Sequence, residues 1–279
     1  MLSYRHGFHA GNFADVLKHA TLVHALRHAL RKPKPLYVLD THAGAGAYDL
    51  GSAEAGKTGE HRAGIGRLLQ AAEPWPELVG PYLELVRAVN PPGALAAYPG
   101  SPALAQALLR PDDRLELNEL HPTDHAVLAR RVAGARRARV TREDGLVTLV
   151  ARMPPPERRG VVLIDPSYEI KTDYAKVVRA LTAAHRRFAS GVYLLWYPVI
   201  ERARTDGLLA ALRATGIRAQ HRLELCLAAD APGRGMTGCG LVVVNPPWTL
   251  PEAAAAGLPW LARQLDAQGP VTAEWLVPE

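Results

Sequence analysis

The arrangement of apolar runs along the chain is the feature that most restricts its fold. Seven short runs rich in β-branched residues and leucine alternate with stretches of helical periodicity, for example over 174–188 and 205–214. The runs cover residues 36–40, 114–118, 137–141, 161–165, 192–196, 221–228 and 240–245. Because most are apolar throughout, they fit strands that are buried on both faces of a mostly parallel sheet. This alternation predicts a doubly wound α/β fold, which we expect to span residues 1–279 as a single domain.

Two intervals between the runs depart from this alternation. The last two runs are joined by ADAPGRGMTG, which is too short for a crossover helix, so they are predicted to form an antiparallel hairpin at one edge of the seven-stranded sheet. The first two runs are separated by more than seventy residues, far beyond a usual connection. Helical patterns near 60–72 and 78–89 predict that residues 50–98 form a small inserted helical subdomain.

The segment before the first run, residues 1–34, is predicted to be a tail followed by a helix. Asn12 can cap a helix that continues to about Arg31. Asp15 then lies in the first turn, where a carboxylate is favoured by the helix dipole.

Composition and charge indicate in which cellular environment the protein works and which class of partner it binds. The chain has a net charge of +6 and a pI of about 9.5. Its arginine clusters are Arg130, Arg131, Arg136, Arg137 and Arg139, then Arg158 and Arg159, then Arg186 and Arg187. They suit a polyanion such as nucleic acid, or form an ordinary solvated surface. Two cysteines, no run of roughly 20 apolar residues and no apolar signal core near Met1 favour a cytoplasmic protein without a membrane span.

A glycine-containing turn follows the first apolar run. In LYVLDTHAGAGAY, Asp40 ends the run, and Gly44 and Gly46 let the backbone pass close under a ligand. A dinucleotide fingerprint would need a third glycine where Asp49 stands, so that fingerprint is broken. D-x-x-x-G-x-G is instead the loop shape of class I S-adenosylmethionine-dependent methyltransferases, although short glycine loops also occur in α/β domains without this cofactor.

Further acids stand where a nucleoside cofactor would need them. Glu119 follows the second run, where a carboxylate accepts from ribose hydroxyls, and Asp144 with Gly145 follows the third, where the adenine would lie. Each acid alone could also be a solvated loop residue or a helix cap. Because the carboxyl ends of adjacent parallel strands form one crevice, the three strand ends together predict a cofactor site.

A strand followed by an acid or amide, proline and an aromatic residue occurs twice. VVLIDPSY ends the fourth run at Asp165, and VVVNPPW ends the seventh at Asn245. The second copy is closer to the [DN]-P-P-[YFW] signature of amino-methyltransferases, but only the first is predicted to lie beside the glycine turn. We assign the chemistry to the first copy because of its position, since methyl transfer needs the reacting groups within a few ångströms of each other. Asn245 to Trp248 is interpreted as strand termination by prolines with a packed indole.

The D-P-x-Y sequence matches the chemistry of a weak nitrogen nucleophile. Asp165 and the Pro166 carbonyl would accept the two protons of an adenine amino group, which aims the nitrogen lone pair at a sulfonium methyl. Tyr168 would stack on the base, a contact worth roughly 1–3 kcal/mol in nucleic-acid complexes. A base inside a helix would first have to be unstacked or flipped.

Longer segments resemble one family over essentially the whole chain. They are MLSYRHGFHAGNFADVLKH, LDTHAGAGAYDLG, YPGSP, LNELHP, EDG, LIDPSYEIKTDY, LWYPV, RGMTGCGLVVVNPPW and WLVPE. Together they resemble the RlmJ family of bacterial enzymes that methylate N6 of one adenine in 23S ribosomal RNA. The resemblance implies a Rossmann-like core with a small helical insertion, a protein-free rRNA substrate, a monomer and no metal.

The resemblance also implies roles for individual residues. S-adenosylmethionine would be held by His19, His42, Ser101, Glu119, Asp144 and Gly145. Asp165 would be catalytic, and Tyr4 in the tail would contact the RNA. Lys18 is expected on a solvated face from which it can also reach an RNA phosphate. Ser167 stands where the family pattern D-P-P-Y has proline, which gives the loop more freedom, and activity is expected to survive.

Several of these residues have ordinary alternatives. His19 and His42 could be buried imidazoles with satisfied hydrogen bonds, and Ser101 could cap a helix that begins at Pro102. No cysteine or acid joins the remaining N-terminal histidines at ligand spacing, which argues against zinc at His6, His9, His24 and His28. Two other functions stay open, namely methylation of adenine N6 in DNA and non-catalytic RNA binding on this fold.

Overall fold

A mixed eight-stranded sheet with helices on both faces is the frame of the molecule. The computed structural model describes residues 5–229, 233 and 235–279, so Tyr4 lies outside the described residues. The strands are β1 Tyr37–Asp40, β2 Ala47–Asp49, β3 Ala97–Pro99, β4 Arg114–Asn118, β5 Ala138–Thr141, β6 Gly160–Ile164, β7 Val192–Val199, β8 Gln220–Cys226, β9 Gly238–Val244 and β10 Val271–Val277. The large sheet has the order β10-β8-β9-β7-β6-β1-β4-β5, and β2 pairs with β3 separately.

Eleven α-helices in the described residues connect and flank these strands. They are α1 Phe13–Leu30, α2 Ala53–Thr58, α3 Glu60–Ala63, α4 Ile65–Gln70, α5 Gly80–Ala88, α6 Ser101–Leu108, α7 Pro122–Arg131, α8 Gly145–Ala151, α9 Asp173–Arg187, α10 Arg202–Arg213 and α11 Leu250–Gln264. None of them combines the length and apolar character that crossing a bilayer requires. One apolar layer lies between the sheet and α1, α5, α6 and α11, and the other between the sheet and α8, α9 and α10.

The parallel half of the sheet agrees with the prediction from the apolar runs. Strand β1 pairs in parallel with β4 on one side and β6 on the other, so Asp40 is level with Leu117 and Leu163. Strands β5 and β7 extend the parallel arrangement outward. The carboxyl ends of five strands therefore meet at one edge of the sheet, here named the carboxyl edge.

The predicted number of strands and the place of the hairpin need correction. Strands β8 and β9 do form an antiparallel hairpin, but β9 inserts beside β7 and β10 pairs antiparallel with β8, so the hairpin is internal. The run over Val271–Val277 went unrecognised because an edge strand is mostly exposed and lacks a continuous apolar pattern. The short strands β2 and β3 were also missed.

Helix α1 is packed on all sides rather than along one stripe. Every residue from Ala14 to Leu26 is buried, between the sheet below and α5 and α6 beside it. Its start confirms the predicted cap, because the Asn12 side chain accepts a hydrogen bond of 3.0 Å from the Asp15 N–H. Its end at Leu30, with Arg31 as the C-terminal cap, agrees with the predicted limit.

The long interval between β1 and β4 is largely helical. Helices α3 and α4 occupy the first predicted helical stretch, and α5 occupies the second. The antiparallel pair β2 and β3 joins the two ends of this interval through the opposed Tyr48 and Tyr98. Because Tyr82, Leu83 and Val86 of α5 belong to the same apolar core as α1, the limits of a separate subdomain at 50–98 stay a prediction.

Candidate active site

A cavity of about 450 Å³ opens at the carboxyl edge, over the ends of β1, β4 and β6. Its volume is within the roughly 300–1,000 Å³ that small-molecule sites occupy. The structure brings together these predicted residues in its lining: Lys18, His19, His42, Gly44, Ser101, Glu119, Asp144, Gly145, Asp165 and Pro166. Gly46 and Tyr168 are absent from the lining, although both belong to loops that form it.

The glycine turn is tied to the end of β4 by a carboxylate. Gly44 has φ of +60° and donates its N–H to Glu119 Oε2 at 2.8 Å. The other oxygen of Glu119 accepts from the His121 N–H at 2.7 Å. Burial raises the pKa of Glu119 above its ordinary value, despite these two bonds. Gly46 has φ of +84°, and a Cβ there would come within 2.8 Å of Leu128, so this glycine serves packing.

The third strand end brings a helix against the glycine turn. Asp144 caps α8 by accepting from the N–H groups of Leu146 and Val147, as the helix-cap alternative proposed, and it also lines the cavity. Gly145 lies against β1, because a Cβ there would overlap the Thr41 carbonyl oxygen and approach His42 Cε1 to 2.9 Å. The glycine at this position is therefore required by close approach of two backbones.

His42 forms part of the wall between these elements. Its Nδ1 lies 2.7 Å from the Thr41 hydroxyl, which fixes the ring orientation. Burial lowers the pKa of His42, so the ring is neutral at pH 7. His42 is therefore a buried imidazole with a satisfied hydrogen bond, and it also lines the cavity, so both predicted descriptions of this residue apply.

Ser101 is not a helix cap, which corrects one of the predicted alternatives. Helix α6 begins at Ser101 itself, with Gly100 preceding it, and the Ser101 hydroxyl donates to Asp40 Oδ2 at 2.6 Å. Asp40 is only 3% exposed and also accepts from the His42 N–H at 3.1 Å. Burial raises the pKa of Asp40 to about 6, because these bonds compensate only part of the lost hydration.

A buried charged cluster from α1 forms another wall. The fully buried Asp15 accepts from His6 Nε2 at 2.8 Å and from the Gly11 N–H at 2.9 Å, and its Oδ1 forms an ion pair with Lys18 Nζ at 2.9 Å. Burial acts to raise the pKa of Asp15, but His6, Lys18 and His19 outweigh it and hold the pKa well below its ordinary value. Asp15 is thus a structural anion as well as a favourable first-turn residue.

Lys18 lies in the interior, so the expectation of a solvated face is wrong, whereas its contact with an RNA phosphate stays a prediction. It is 6% exposed, and its Nζ lies 2.6 Å from Asp165 Oδ2 as well as against Asp15. Two carboxylates balance the buried ammonium, which would otherwise be strongly unfavourable. The nearby His19 bonds through Nδ1 to the Tyr98 hydroxyl at 2.6 Å, and burial lowers its pKa to about 3.

Asp165 follows β6 and points into the cavity beside this cluster. Its side chain is 16% exposed, and Pro166 and Ser167 continue along the wall. Trp196 of β7 also lines the cavity, with Lys18 Nζ 6.0 Å from its ring centroid. Strand β7 continues past the last residue of β6, since Ile164 is opposite Leu195. This extension, seen in the sequence as LWYPV, is the signal that could have identified Trp196.

Tyr168 does not offer its ring to a base, which corrects the predicted stacking role. The residue is 6% exposed, with the ring of Tyr174 4.6 Å away and that of Trp196 6.1 Å away. Its hydroxyl donates to the Trp196 carbonyl at 2.8 Å. The left-handed backbone at Tyr168, with φ of +52°, turns the side chain into the core. Tyr168 therefore anchors the loop rather than lining its open face.

The second proline motif lies at the opposite edge of the sheet. Strand β9 runs antiparallel to β7, so its last residue, Val244, is level with Tyr193 near the start of β7. Asn245 follows there and donates to the carbonyls of Ala189 and Gly191 at 2.7 and 2.8 Å. Trp248 is 74% exposed, so the expectation of a packed indole is wrong. None of these residues lines the cavity.

Only the copy at Asp165 can thus act together with the glycine turn, as its predicted position required. Within the described residues, no group of three or more histidine, cysteine, aspartate or glutamate side chains is arranged to hold a metal ion. The cavity is a crevice with carboxylates at three strand ends and the Trp196 ring on one side.

Comparison with known proteins agrees with this arrangement. The sequence model of the family described as ribosomal RNA large subunit methyltransferase D, RlmJ, matches residues 33–277. This chain belongs to the RlmJ family. The resemblance predicted from the sequence segments is thereby confirmed.

Relatives cover the RlmJ-family chain from end to end. The ribosomal RNA large subunit methyltransferase J of Escherichia coli (strain K12) is 47% identical over 281 residues, which is 100% of each chain. The protein of the same name from Haemophilus influenzae is 45% identical over 282 residues, again 100% of each. Among solved structures, protein LPL1258 from Legionella pneumophila has a TM-score of 0.89 at 38% identity, with 96% of this chain and 98% of that one covered.

A more distant structure shows the fold alone. A probable spermidine synthase from Corynebacterium glutamicum superposes with a TM-score of 0.52 at 14% identity, covering 95% of this chain and 74% of its own. The overall α/β fold is therefore shared beyond the RlmJ family.

Proposed function

We propose that this member of the RlmJ family transfers a methyl group from S-adenosylmethionine to N6 of an adenine in 23S rRNA. The names of the Escherichia coli and Haemophilus influenzae relatives support rRNA as the substrate class. The observation that carries the proposal is the position of Asp165, whose carboxylate enters the same cavity as Glu119, Asp144 and the glycine turn. Adenine, the N6 position and the residue roles are inferred from the D-P-x-Y sequence at that carboxylate.

The residues at the carboxyl edge fit the cofactor. Where Gly44 and Gly145 lie, a side chain would collide with its surroundings, so the backbone forms part of the cavity floor. Glu119 at the end of β4 and Asp144 at the end of β5 stand where ribose and adenine would lie. When bound, S-adenosylmethionine supplies a methyl group activated by a positive sulfonium, and the carboxylates of the crevice favour such a cation.

The loop after β6 positions the nucleophile. Asp165 and the Pro166 carbonyl accept the two amino protons of the adenine, which directs the nitrogen lone pair along the transfer axis. Lys18 holds Asp165 Oδ2 at 2.6 Å, and in this proposal Oδ1 is the oxygen that accepts from the amino group. Because Tyr168 is buried, we assign the aromatic contact with the base to Trp196, which lines the cavity from β7. The proton leaves the amine after attack, so the loop needs no strong base.

The substrate and assembly expected from the resemblance belong to this proposal. The family resemblance is the ground on which we expect a monomeric enzyme. His6 and His9, which follow Tyr4 closely in the sequence, line the cavity. We accordingly keep Tyr4 as an RNA contact, with protein-free 23S rRNA in the cytoplasm as the substrate.

The decisive experiment is mass spectrometry of nucleosides after protein-free 23S rRNA has been incubated with the enzyme and isotope-labelled S-adenosylmethionine. The expected product is labelled N6-methyladenosine. Asp165→Ala is expected to abolish transfer while the affinity for S-adenosylhomocysteine, measured by calorimetry, stays within roughly threefold of wild type. Trp248→Ala is the matched control, because it alters the exposed second motif, and its transfer is expected to equal wild type.

Three results would contradict the proposal, each in a different way. A labelled nucleoside other than N6-methyladenosine would place the chemistry on another atom. Faster transfer to a matched DNA hairpin than to RNA would identify a DNA enzyme. The absence of heat with either S-adenosylmethionine or S-adenosylhomocysteine would indicate a non-catalytic RNA-binding protein.

A further inference from the structure

A continuous group of exposed arginines runs along one border of the sheet. These residues, here named the arginine edge, are Arg130, Arg131, Arg136, Arg137, Arg139 and Arg142. They extend from the last turn of α7 through β5 to the loop before Asp144. The sequence has no acidic residue between Asp124 and Glu143.

The arginine edge lacks the carboxylate partners that several arginines elsewhere in the molecule have. Arg110 pairs with Asp113 and Arg114 with Glu157, at 3.0 and 2.9 Å. Within residues 5–229, 233 and 235–279, no member of the arginine edge forms an ion pair. Arg137 donates only to the backbone carbonyl of Asp112, at 3.1 Å. Several like charges lie side by side, which favours a polyanionic partner.

The nearest acidic residues do not neutralise the arginine edge, because they form hydrogen bonds with groups of helix α8. Asp144 accepts from the N–H groups at the start of α8. Glu143 Oε2 accepts from the Thr148 hydroxyl at 3.1 Å and lies 4.0 Å from Arg152. The positive charge of Arg142 therefore faces solvent beside the strand end that forms the cavity.

The arginine edge leads to the candidate active site. Strand β5 is the last strand of the sheet and pairs only with β4, so its outer side faces solvent. Its carboxyl end passes through Arg142 to Asp144 and Gly145, which line the cavity. The extended part of this segment, Ala138–Thr141, spans about 10 Å at about 3.3 Å per residue, and Arg136 and Arg137 lie in the turn before it. The arginines therefore stand before, on and after the strand, where together they can contact more than one phosphate of a nucleic-acid strand.

Charge on an edge strand has another known use, which is to prevent pairing with a second sheet. A single exposed charge such as Arg139 on β5 would serve that purpose. The arginines before and after β5 lie outside the strand, where they protect no hydrogen-bonding edge. Protection of the edge therefore explains one of the six arginines and leaves the others without a role.

We propose that the arginine edge binds the phosphates of the substrate RNA that flank the methylated base. This inference rests on the proposed function, because it takes RNA as the substrate. It adds a second contact area outside the cavity, which holds the RNA while the target base enters the crevice.

The test compares two triple variants that remove the same charge. Arg136→Gln, Arg139→Gln and Arg142→Gln are combined in one protein. The control combines Arg186→Gln, Arg213→Gln and Arg263→Gln, which are exposed, form no ion pair in the described part of the chain, and lie in the last turns of α9, α10 and α11. Equilibrium binding of protein-free 23S rRNA is measured as a function of salt concentration, alongside methyl transfer.

The expected result follows from counterion release. Each phosphate contact contributes about 0.7 to the slope of log affinity against log salt for a single strand, so the arginine-edge triple should lower the slope by about 2. Affinity at 0.1 M salt should fall by roughly tenfold or more. KM for the RNA should rise while kcat and the affinity for S-adenosylhomocysteine stay at wild-type values. The control should change the slope by less than about half a unit.

Two outcomes overturn the inference. An unchanged slope in the arginine-edge triple, or an equal loss in both triples, means that the arginine edge makes no specific contact. If the triple self-associates, which sedimentation detects, Arg142→Gln alone replaces it, since Arg142 lies outside β5, and a slope lowered by about 0.7 is then required. The absence of methyl transfer by wild type refutes the proposed function instead, because the binding measurement does not depend on transfer.

Discussion

Asp40 allows a quantitative test, because the fold buries a carboxylate directly beneath the candidate active site. Burial raises its pKa from an ordinary 3.8 to about 6. The native state therefore binds a proton between pH 4 and 6 that the unfolded chain has already released. Stability falls as pH rises through this window, since the unfolded state binds fewer protons there. A shift of about two pKa units corresponds to roughly 3 kcal/mol lost by pH 7.

Asp40→Asn removes the titrating carboxyl group, so the contribution of residue 40 to the free energy of unfolding should no longer depend on pH. The free energy of unfolding is measured by urea denaturation at intervals from pH 4.5 to 7.5 for both proteins. Relative to wild type, the variant should gain about 2 kcal/mol between the ends of this range, because part of the effect falls below pH 4.5. Any constant offset, from the altered hydrogen bond with Ser101, does not affect this difference.

Asp113→Asn is the control, because Asp113 lies at the other end of β1 with the opposite shift. Burial acts to raise the pKa of Asp113, but hydrogen bonds from Arg110 and from the Leu36 N–H outweigh it and lower the pKa. Its contribution is complete above pH 4 and is lost only at lower pH, so its variant should differ from wild type by a constant amount over the same range. A constant difference for Asp40→Asn as well would refute the assignment of a raised pKa to Asp40.

Three further predictions concern the walls of the cavity. Ser101→Ala removes a 2.6 Å hydrogen bond to buried Asp40 and should lower the free energy of unfolding by about 1–3 kcal/mol, measured by urea denaturation at pH 7; a change below a few tenths would show that another donor replaces it. Gly145→Ala places a Cβ against the Thr41 carbonyl oxygen, so affinity for S-adenosylhomocysteine should fall by roughly tenfold or more in calorimetry. Wild-type affinity there would mean that α8 can move outward freely. Ser167→Pro should change kcat by less than roughly threefold, because the next residue already anchors the loop through its buried hydroxyl, and a large gain in turnover would reveal a poorly ordered wild-type loop.

The parallel strands could be predicted because burial on both faces leaves a continuous apolar run in the sequence. Strand β6, with all five residues buried, is the clearest case. Strand β10 could not be predicted in the same way, since only Leu276 is fully buried along its length. Strand β10 forms by pairing with the free edge of β8, and the sequence around residue 271 does not reveal that partner.

The candidate site was predictable as far as it depends on strand order. The turn at Gly44 and the residues Glu119, Asp144 and Asp165 follow parallel strands, and parallel strands bring their carboxyl ends to one edge. Side-chain directions within the site required the tertiary structure. Lys18 turns inward because Asp165, 147 positions later, lies opposite it in the fold.

Tertiary packing also decides which aromatic residue lines the cavity. The sequence motif assigns the base contact to Tyr168, but a positive φ and the Trp196 carbonyl direct that ring into the core. The aromatic ring that lines the cavity belongs to the partly buried Trp196, on a different strand. No local pattern distinguishes these alternatives, because Tyr168 follows one apolar run and Trp196 ends another.

The complete enclosure of helix α1 has a consequence for biosynthesis. The helix packs against β9, which leaves the ribosome about 200 residues after it. At a translation rate of about 5–20 residues per second, its leucines and valines face the solvent for about 10–40 s before that strand exists. We expect molecular chaperones to hold the nascent protein through this segment, and the native enzyme to acquire its crevice only after the helix has been released.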